Sequence, residues 1–165
     1  MGQHVSSVCV ITSAQNGKRN GLTATAMSSV CAEPPRLLVC VNKSGSSHET
    51  IAAAGTFCVN VLAETQDKVA KAFAGMMGRD FDRFSVGEWD ELVSGAPALV
   101  NATAVFDCEV KHVIDQFSHS IFIGEVLAAR HATGKDTLLY GARRFRSLRK
   151  TISELAGLSD ESLHF

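Results

Sequence analysis

Two neighbouring segments determine the fold of this chain: Asn20-Gly21-Leu22-Thr23-Ala24-Thr25-Ala26-Met27-Ser28-Ser29 and, beyond two prolines, Leu37-Leu38-Val39-Cys40-Val41-Asn42-Lys43-Ser44-Gly45-Ser46-Ser47. Both read as β-type segments, and the first is rich in small hydroxylated side chains. The second ends in a Ser/Gly loop of the kind that opens a helix. Small side chains allow a flat ring to lie against the backbone, and a helix N-terminus can hold a phosphate.

Strand patterns surround these segments. The β-branched run from Val5 to Thr12 predicts a first strand, and Asn16-Gly17 predicts a hairpin turn into a strand from Leu22 to Ser29. We expect Cys31 to Pro35 to break the ladder, because proline has no amide proton to donate. Arg36 to Asn42 then reads as a strand that is apolar enough to be buried on both faces.

Short helices and further strands follow. Ser46 and Glu49 fit a capping box at the start of a helix that ends near Gly55. The later expectations are a strand at 56–62, a helix at 64–73, a loop at 75–95, strands at 98–114 and 119–131, a short strand at 138–140, and a basic tail helix. Gly124 marks either a bulge or a close approach of the backbone to a neighbour. Strands that do not alternate regularly with helices favour an antiparallel barrel. We expect one domain over residues 1–165.

Composition excludes several classes of protein. Hydrophobic residues make up 45% of the chain and charged residues 20%, and the net charge is −1, which gives no electrostatic case for nucleic acid or an anionic membrane. No apolar run has the length of a membrane span, and the N-terminus lacks a signal-peptide pattern, so a cytoplasmic protein is expected. The cysteines lack metal-ligand spacing and are expected to be buried reduced thiols: Cys9, Cys31, Cys40, Cys58 and Cys108. No metal site is predicted.

The best candidate for an anion site is the loop Ser44-Gly45-Ser46-Ser47, because a helix start presents unpaired N–H groups and serine hydroxyls add donors. The helix dipole contributes only about 0.3–1 kcal/mol, so Lys43 or an arginine is expected to help. A plain capped helix is the alternative. Thr23-Ala24-Thr25 is either a half-buried sheet face or a surface where backbone groups meet the polar edge of a flat ring.

Two further groups are candidates. His119 follows the polar turn from Asp115 to Ser118 and is either structural or able to orient a nicotinamide donor. Arg143-Arg144-Phe145-Arg146 is either a solvated helix face or a phosphate site. Nucleic-acid binding fits this short patch less well, because the loop aromatics do not interleave with it.

Taken together, four segments resemble the short-chain flavin reductase family: Asn20 to Ser29, Pro34 to Thr50, Gly55 to Gly75, and His119 to Val126 with Leu138-Leu139-Tyr140 following. The resemblance covers nearly the whole chain. It implies a mainly β split β-barrel with short helices, which binds FMN or FAD near the interface of a homodimer. It also implies reduction of that flavin by NADH or NADPH.

The resemblance also implies roles for individual residues. His119 would be the catalytic group near the nicotinamide, although the family's Gly-Asp-His turn reads Phe117-Ser118-His119 here. Phe117 would then shield the flavin or narrow access for the donor. The flavin-binding residues would be Thr23, Ala24, Thr25, Ser28, Asn42, Lys43, Ser44, Ser46, Ser47, Thr50, Phe73, Tyr140 and Arg143.

The implied function is NAD(P)H-dependent reduction of free flavin by hydride transfer. Diffusing reduced flavin would supply a separate flavin-dependent monooxygenase component. Hydride transfer between bound cofactors needs mainly proximity, which agrees with the lack of a catalytic triad order in the sequence. Two alternatives stay open: an FMN-binding protein of the same fold that is not a reductase, and a barrel that binds another apolar ligand.

Overall fold

The structure, a computed structural model, describes residues 4–147. Within this range the strands are β1 Ser6–Ser7, β2 Cys9–Gln15, β3 Lys18–Ala24, β4 Met27–Ala32, β5 Pro35–Asn42, β6 Thr56–Val61, β7 Trp89–Glu91, β8 Pro97–Leu99, β9 Ala104–Gln116, β10 His119–His131, β11 Leu139–Gly141 and β12 Arg144–Arg146. The helices are α1 Ser46–Ala54 and α2 Asp67–Phe73, with one 3-10 turn at Arg83–Ser85. None of these helices has the length and apolar character needed to cross a bilayer.

Seven strands form one antiparallel sheet in the order β3-β2-β6-β9-β10-β5-β4. The two strands at its ends, β3 and β4, are consecutive in the chain and are joined only by Thr25 and Ala26. The sheet must therefore curl until its edges approach each other, and it stays open between them. This is the architecture of a split barrel, and it confirms the mainly β fold predicted from the sequence.

Side chains on both faces of this sheet are buried. In β2, Ile11 packs with Val39 and Phe122 in one core cluster, whereas Val10 packs with Val69 in the other. Successive residues of a strand point to opposite faces, so β2 is covered on both sides. Helix α2 and the segment that follows it provide part of the second cover.

The strand predicted from Leu22 to Ser29 is two strands. β3 pairs with β2, and β4 pairs with β5, so the chain changes neighbours at Thr25 and Ala26. The expected break from Cys31 to Pro35 is confined to a turn at Glu33-Pro34, since Cys31 and Ala32 still pair with Arg36 and Pro35 in a β4–β5 hairpin. Proline is tolerated there because it is the first residue of its strand.

Strand β5 is not buried equally on its two faces, contrary to the prediction. Leu37, Val39 and Val41 are buried, while Leu38 and Cys40 are half-exposed. Alternate residues of this apolar strand therefore face the core, and the residues between them lie on a face that is only partly covered.

The helix starts also differ from the prediction. Gly45 is the N-cap of α1, and no side chain caps it, so the capping box is absent; the end at Gly55 is confirmed by its left-handed backbone (φ 67°). Helix α2 begins at Asp67 rather than Glu64, because the preceding turn is closed by a hydrogen bond from Ala63 N–H to the Gln66 side chain.

The remaining strands follow the prediction more closely. The hairpin turn at Asn16-Gly17 has positive φ at both residues and is confirmed, and β10 spans His119–His131 as expected. The strand predicted over 98–114 is divided into β8 and β9 around Asn101, which has a φ of 66°. Arg144 to Arg146 form a strand instead of the start of a tail helix, and the rest of that expected helix lies outside the described residues.

Candidate active site

A cleft of about 310 Å³ lies beside the gap between β3 and β4. Thr25, Ala26 and Ser28 line it together with Leu38 and Cys40. The first three are exposed and small, so backbone in the gap stays accessible. Because β3 and β4 are edge strands, each leaves a row of N–H and C=O groups without a sheet partner. The cleft can therefore accept a flat ligand with a polar edge.

Two of the predicted ligand contacts have other partners in this structure. The Thr23 hydroxyl donates to the Ala70 carbonyl at 2.7 Å and thereby holds α2 against the sheet. Ala24 packs against the core cluster that contains Phe122. Within the segment from Thr23 to Thr25, only Thr25 is exposed, and the other two residues are half-buried.

Phe73 lies in the core rather than in the cleft. It is 2% exposed, and its ring packs against Phe84 at 5.0 Å and Trp89 at 5.3 Å between ring centroids. A Cβ atom on Gly21 would lie 2.7 Å from this ring. The structure therefore assigns Phe73 a packing role at the junction of α2 and β3, in place of the predicted ligand contact.

The loop at the start of α1 is held by Asn42. Its Oδ1 accepts hydrogen bonds from the Ser44 N–H and the Ser44 hydroxyl, both at 2.9 Å. Gly45 is the N-cap that precedes α1, and no side chain caps the helix. The first amides of α1 consequently lack the side-chain acceptor that usually satisfies them, which is the condition for anion binding at a helix start.

Asn20 joins β3 to this helix start. Its Oδ1 accepts hydrogen bonds from the hydroxyls of Ser46 at 3.2 Å and Ser47 at 3.4 Å, and its Nδ2 donates to Thr50 Oγ1 at 3.2 Å. Ser46 is exposed, whereas Ser47 is 6% exposed. Of the two serines, only Ser46 is accessible to a ligand, and Ser47 is packed at the helix start.

His119 lies next to this loop although it is far away in sequence. It stands opposite Asn42 in the β5–β10 register, and the Lys43 N–H donates to the Ser118 carbonyl at 2.9 Å. The His119 Nδ1 is 2.9 Å from the Ser118 hydroxyl. The sheet thus brings the predicted catalytic histidine to the predicted phosphate loop.

Lys43 already has an acidic partner. Its Nζ lies 3.2 Å from Asp115 Oδ1 on β9. The Ser120 hydroxyl, and after it Lys43, hold the pKa of Asp115 below its usual value. An anion on the loop would therefore compete with Asp115 for the lysine.

The cleft and the loop are neighbours along β5. Cys40 lines the cleft, and Asn42 is two residues further on the same face of the strand, roughly 7 Å away at the rise of a β-strand. A ring site and an anion site are therefore continuous.

Comparison with known protein families matches residues 1–149 to the Flavin reductase like domain. The chain belongs to the flavin reductase family. Among its relatives is the FMN reductase (NADH) RutF of Pseudomonas syringae pv. syringae, which is 39% identical over 142 residues, 86% of this chain and 79% of the relative. A further relative, the FMN reductase (NADH) RutF 1 of Methylorubrum extorquens, is 40% identical over 153 residues, 92% of this chain and 74% of the relative.

Solved structures of flavin reductases share its fold. The NADH:FAD oxidoreductase SgcE6 of Streptomyces globisporus, in complex with NAD and FAD fragments, superposes with a TM-score of 0.81 at 33% identity, over 88% of this chain and 86% of that one. BorF, the flavin reductase component of a bacterial two-component tryptophan halogenase, gives the same TM-score at 33% identity over 89% and 92%.

The two remaining predicted flavin contacts of this chain lie on the β11–β12 hairpin. Tyr140 stands opposite Ser6 in the β1–β11 register, and Ser6 lines the cleft. Arg143 is exposed in the hairpin turn with a φ of 61°. Tyr140 is thus beside the cleft, while no described contact joins Arg143 to it.

The five thiols are free, but not all are buried as predicted, since Cys31 is exposed and Cys40 is half-exposed. Burial raises the pKa of Cys9 to about 11 and that of Cys108 to about 12. These two thiols are therefore protonated at neutral pH and poor nucleophiles. Among residues 4–147, no cluster of three or more His, Cys, Asp or Glu side chains has the arrangement of a metal site.

Sequence reasoning missed Asn20 as a site residue, although it opens the stretch that determined the fold. The available indication was its position, because asparagine is uncommon within strands. Its partners lie 26 to 30 residues further along the chain, so only the folded arrangement reveals the contact.

Proposed function

We propose that the protein reduces free FMN with NADH and releases the reduced flavin to a separate flavin-dependent monooxygenase component. The continuity of cleft and loop along β5 carries this proposal, because a flavin needs a flat-ring site and a phosphate site at one short separation. The names of the relatives support NADH as donor, and the two-component reductase among the solved structures supports transfer of the product. FAD and NADPH are the competing substrates to be tested.

The residues present fit a flavin mononucleotide. Exposed backbone at Thr25 and Ala26 can hydrogen-bond the polar edge of a ring, and the half-exposed Leu38 and Cys40 offer an apolar wall. The amides at the start of α1 can donate to phosphate oxygens, and the exposed Ser46 hydroxyl would do so by turning its one proton from Asn20 Oδ1 to the phosphate. Bound flavin supplies the hydride acceptor, so the protein needs to contribute position and electrostatics rather than a nucleophile.

The side chains around the site have distinct tasks in this proposal. Lys43 would turn from Asp115 to the phosphate and neutralise part of its charge. His119 would orient the nicotinamide at the turn of the β9–β10 hairpin, with its own ring held by Ser118. An open cleft at the edge of a sheet favours moderate affinity, which release of a diffusible product requires; a micromolar Kd corresponds to about −8 kcal/mol.

A homodimer is part of the proposal, and the outer sheet face beside the cleft supports it. Cross-strand partners share a face, and the register aligns Ile114, Ile121 and Cys40 in one row and Ile123 with Leu38 in the next. Ile114 is 43% exposed, and the other four are half-exposed. A second copy would cover this apolar face and close the cleft. Light scattering should give a dimer mass for the wild type and a monomer for Ile121→Lys, and a monomeric wild type would contradict the proposal.

The turn of the hairpin favours a second candidate, an FMN-binding protein that is not a reductase. Ser118 stands where the family commonly has a carboxylate, and Phe117 is 98% exposed at the tip with a φ of 47°. Both differences fall at the proposed nicotinamide side of the site. They leave the flavin contacts intact.

Anaerobic stopped-flow absorbance separates the two candidates. FMN-loaded protein is mixed with NADH or NADPH, and protein-free FMN serves as the control for uncatalysed reduction. We expect rapid loss of the oxidised flavin band, faster with NADH than with NADPH. Flavin that binds and stays oxidised with both donors would refute the reductase and establish the second candidate.

A further inference from the structure

His48 connects α1 to the hairpin that carries His119, and it is not among the predicted site residues. It is half-buried in the first turn of α1. Its Nε2 lies 2.8 Å from the hydroxyl of Ser120 on β10. Its ring packs edge-on against Phe122, with 5.2 Å between the ring centroids.

The direction of these hydrogen bonds follows from the protons available. The Ser120 hydroxyl donates to Asp115 Oδ1 at 2.7 Å, and an ionised carboxylate can only accept. A hydroxyl has one proton, so Ser120 must accept from His48, and Nε2 carries the proton. Ser120 itself is fully buried, so its hydroxyl depends on these two partners for its hydrogen bonds.

This series of contacts ends at the flavin-binding loop. Asp115 pairs with Lys43, the Lys43 amide is bonded to the Ser118 carbonyl, and Asn42 stands opposite His119. Hydrogen bonds and one ion pair therefore join helix α1, the loop that opens it and the hairpin turn, next to the β5–β10 pairing that sets Asn42 opposite His119.

We propose that His48 and Ser120 are positioning residues for flavin reduction, which hold the hairpin turn and His119 in place against the flavin-binding loop. The proposal rests on the proposed function. Neither side chain needs to touch flavin or nicotinamide. Their effect arises because reacting atoms must approach to about 3–3.5 Å, so a small displacement of a group that orients the donor slows the reaction strongly.

Amide hydrogen exchange in the flavin-free protein tests the holding contacts without measuring activity. In Ser120→Ala the Lys43 amide should exchange about tenfold faster, as expected when a buried hydrogen bond nearby is lost. The Leu62 amide, bonded to the Val8 carbonyl at 2.9 Å away from the hairpin, should not change. Unchanged exchange at Lys43, or equal acceleration at both amides, would overturn the positioning role.

Kinetics of paired His48 variants test its consequence. His48→Leu should slow reduction of bound FMN by NADH about tenfold, with the Kd for FMN within about twofold of wild type. His48→Gln, whose amide can donate in place of Nε2, should recover the rate to within about threefold. His131→Leu, exposed at the other end of β10, is the matched control and should react as wild type.

The outcomes distinguish this proposal from the one it rests on. A wild-type rate in His48→Leu, or an equal loss of FMN affinity and rate, would overturn the positioning role while leaving the reductase in place. A wild type that binds FMN and never reduces it would overturn the proposed function, and the exchange of the Lys43 amide would still decide whether the contacts hold the turn.

Discussion

Replacing Asn20 with alanine should weaken binding of FMN without affecting riboflavin, which has the same ring and no phosphate. Asn20 orients the helix start by accepting from Ser46 at 3.2 Å, accepting from Ser47 at 3.4 Å and donating to Thr50 at 3.2 Å. The longest contact contributes least. The two at 3.2 Å are each worth about 0.5–1 kcal/mol, a sum of about 1–2 kcal/mol. If the loss falls on phosphate binding, the Kd for FMN rises about 5- to 30-fold.

Quenching of flavin fluorescence measures both affinities on the same protein. Gln15→Ala is the matched control, because it removes an amide side chain from the neighbouring strand β2 at a position that pairs with Lys18 and not with Asn20. Circular dichroism at the same concentration verifies that Asn20→Ala is folded. An equal loss for FMN and riboflavin would show that Asn20 acts through the ring site or the fold. Unchanged affinity for FMN would refute the assignment of the loop as the phosphate site.

Three further predictions concern reaction, packing and pH. His119→Ala should slow reduction by NADH more than it weakens FMN binding, and an equal loss of both would assign His119 a structural role. Gly124→Ala would place a Cβ 2.6 Å from the buried Phe57 ring, so it should destabilise the protein by about 1–3 kcal/mol in urea unfolding; a wild-type midpoint would contradict the packing. A hydrogen bond from Arg130 lowers the pKa of Asp90 in the folded protein. The ionised carboxylate therefore stabilises the fold at pH values above its unfolded pKa of about 4. This stabilisation is lost as the pH falls through the lower pKa of the folded state. Asp90→Asn should therefore lower the melting temperature at pH 7 and not at pH 2–3, and a difference that persists at low pH would exclude the ion pair as the cause.

Local patterns predicted those parts of the fold whose cause is local. The turn at Asn16-Gly17 needs positive φ at both positions, and the Asn-Gly pair accepts it. Gly124 allows the close approach that the sequence also predicted, since the Phe57 ring leaves no room for a Cβ there; the register shift beside it leaves Lys111 of β9, the strand opposite, as the extra residue. In both cases the residue type itself carries the structural requirement.

The parts that could not be predicted depend on partners distant in sequence. Neither Thr25 nor Ala26 is a glycine or a proline, so the local sequence does not indicate that one strand ends and another begins there. The segment divides there because its first half, β3, pairs with β2, and its second half, β4, pairs with β5. Phe73 was assigned to the ligand for a related reason, since an aromatic side chain serves a core and a cofactor pocket equally well until its packing is known.

The same division explains why a single stretch of sequence carries most of the site. Where the chain leaves β3 at Ala24 and enters β4 at Met27, it crosses from one edge of the sheet to the other and exposes the backbone of both. The β4–β5 hairpin then returns the chain past this gap, so that β5 lines the cleft at Cys40 and reaches the start of α1 after Asn42. The proposed ring site and phosphate site are thus consecutive along one path, whereas the hairpin with His119 comes much later in the chain and reaches them through the pairing of β10 with β5. Beyond this ladder, Lys43, Asp115, Ser120 and His48 add contacts between the hairpin turn, the loop and α1.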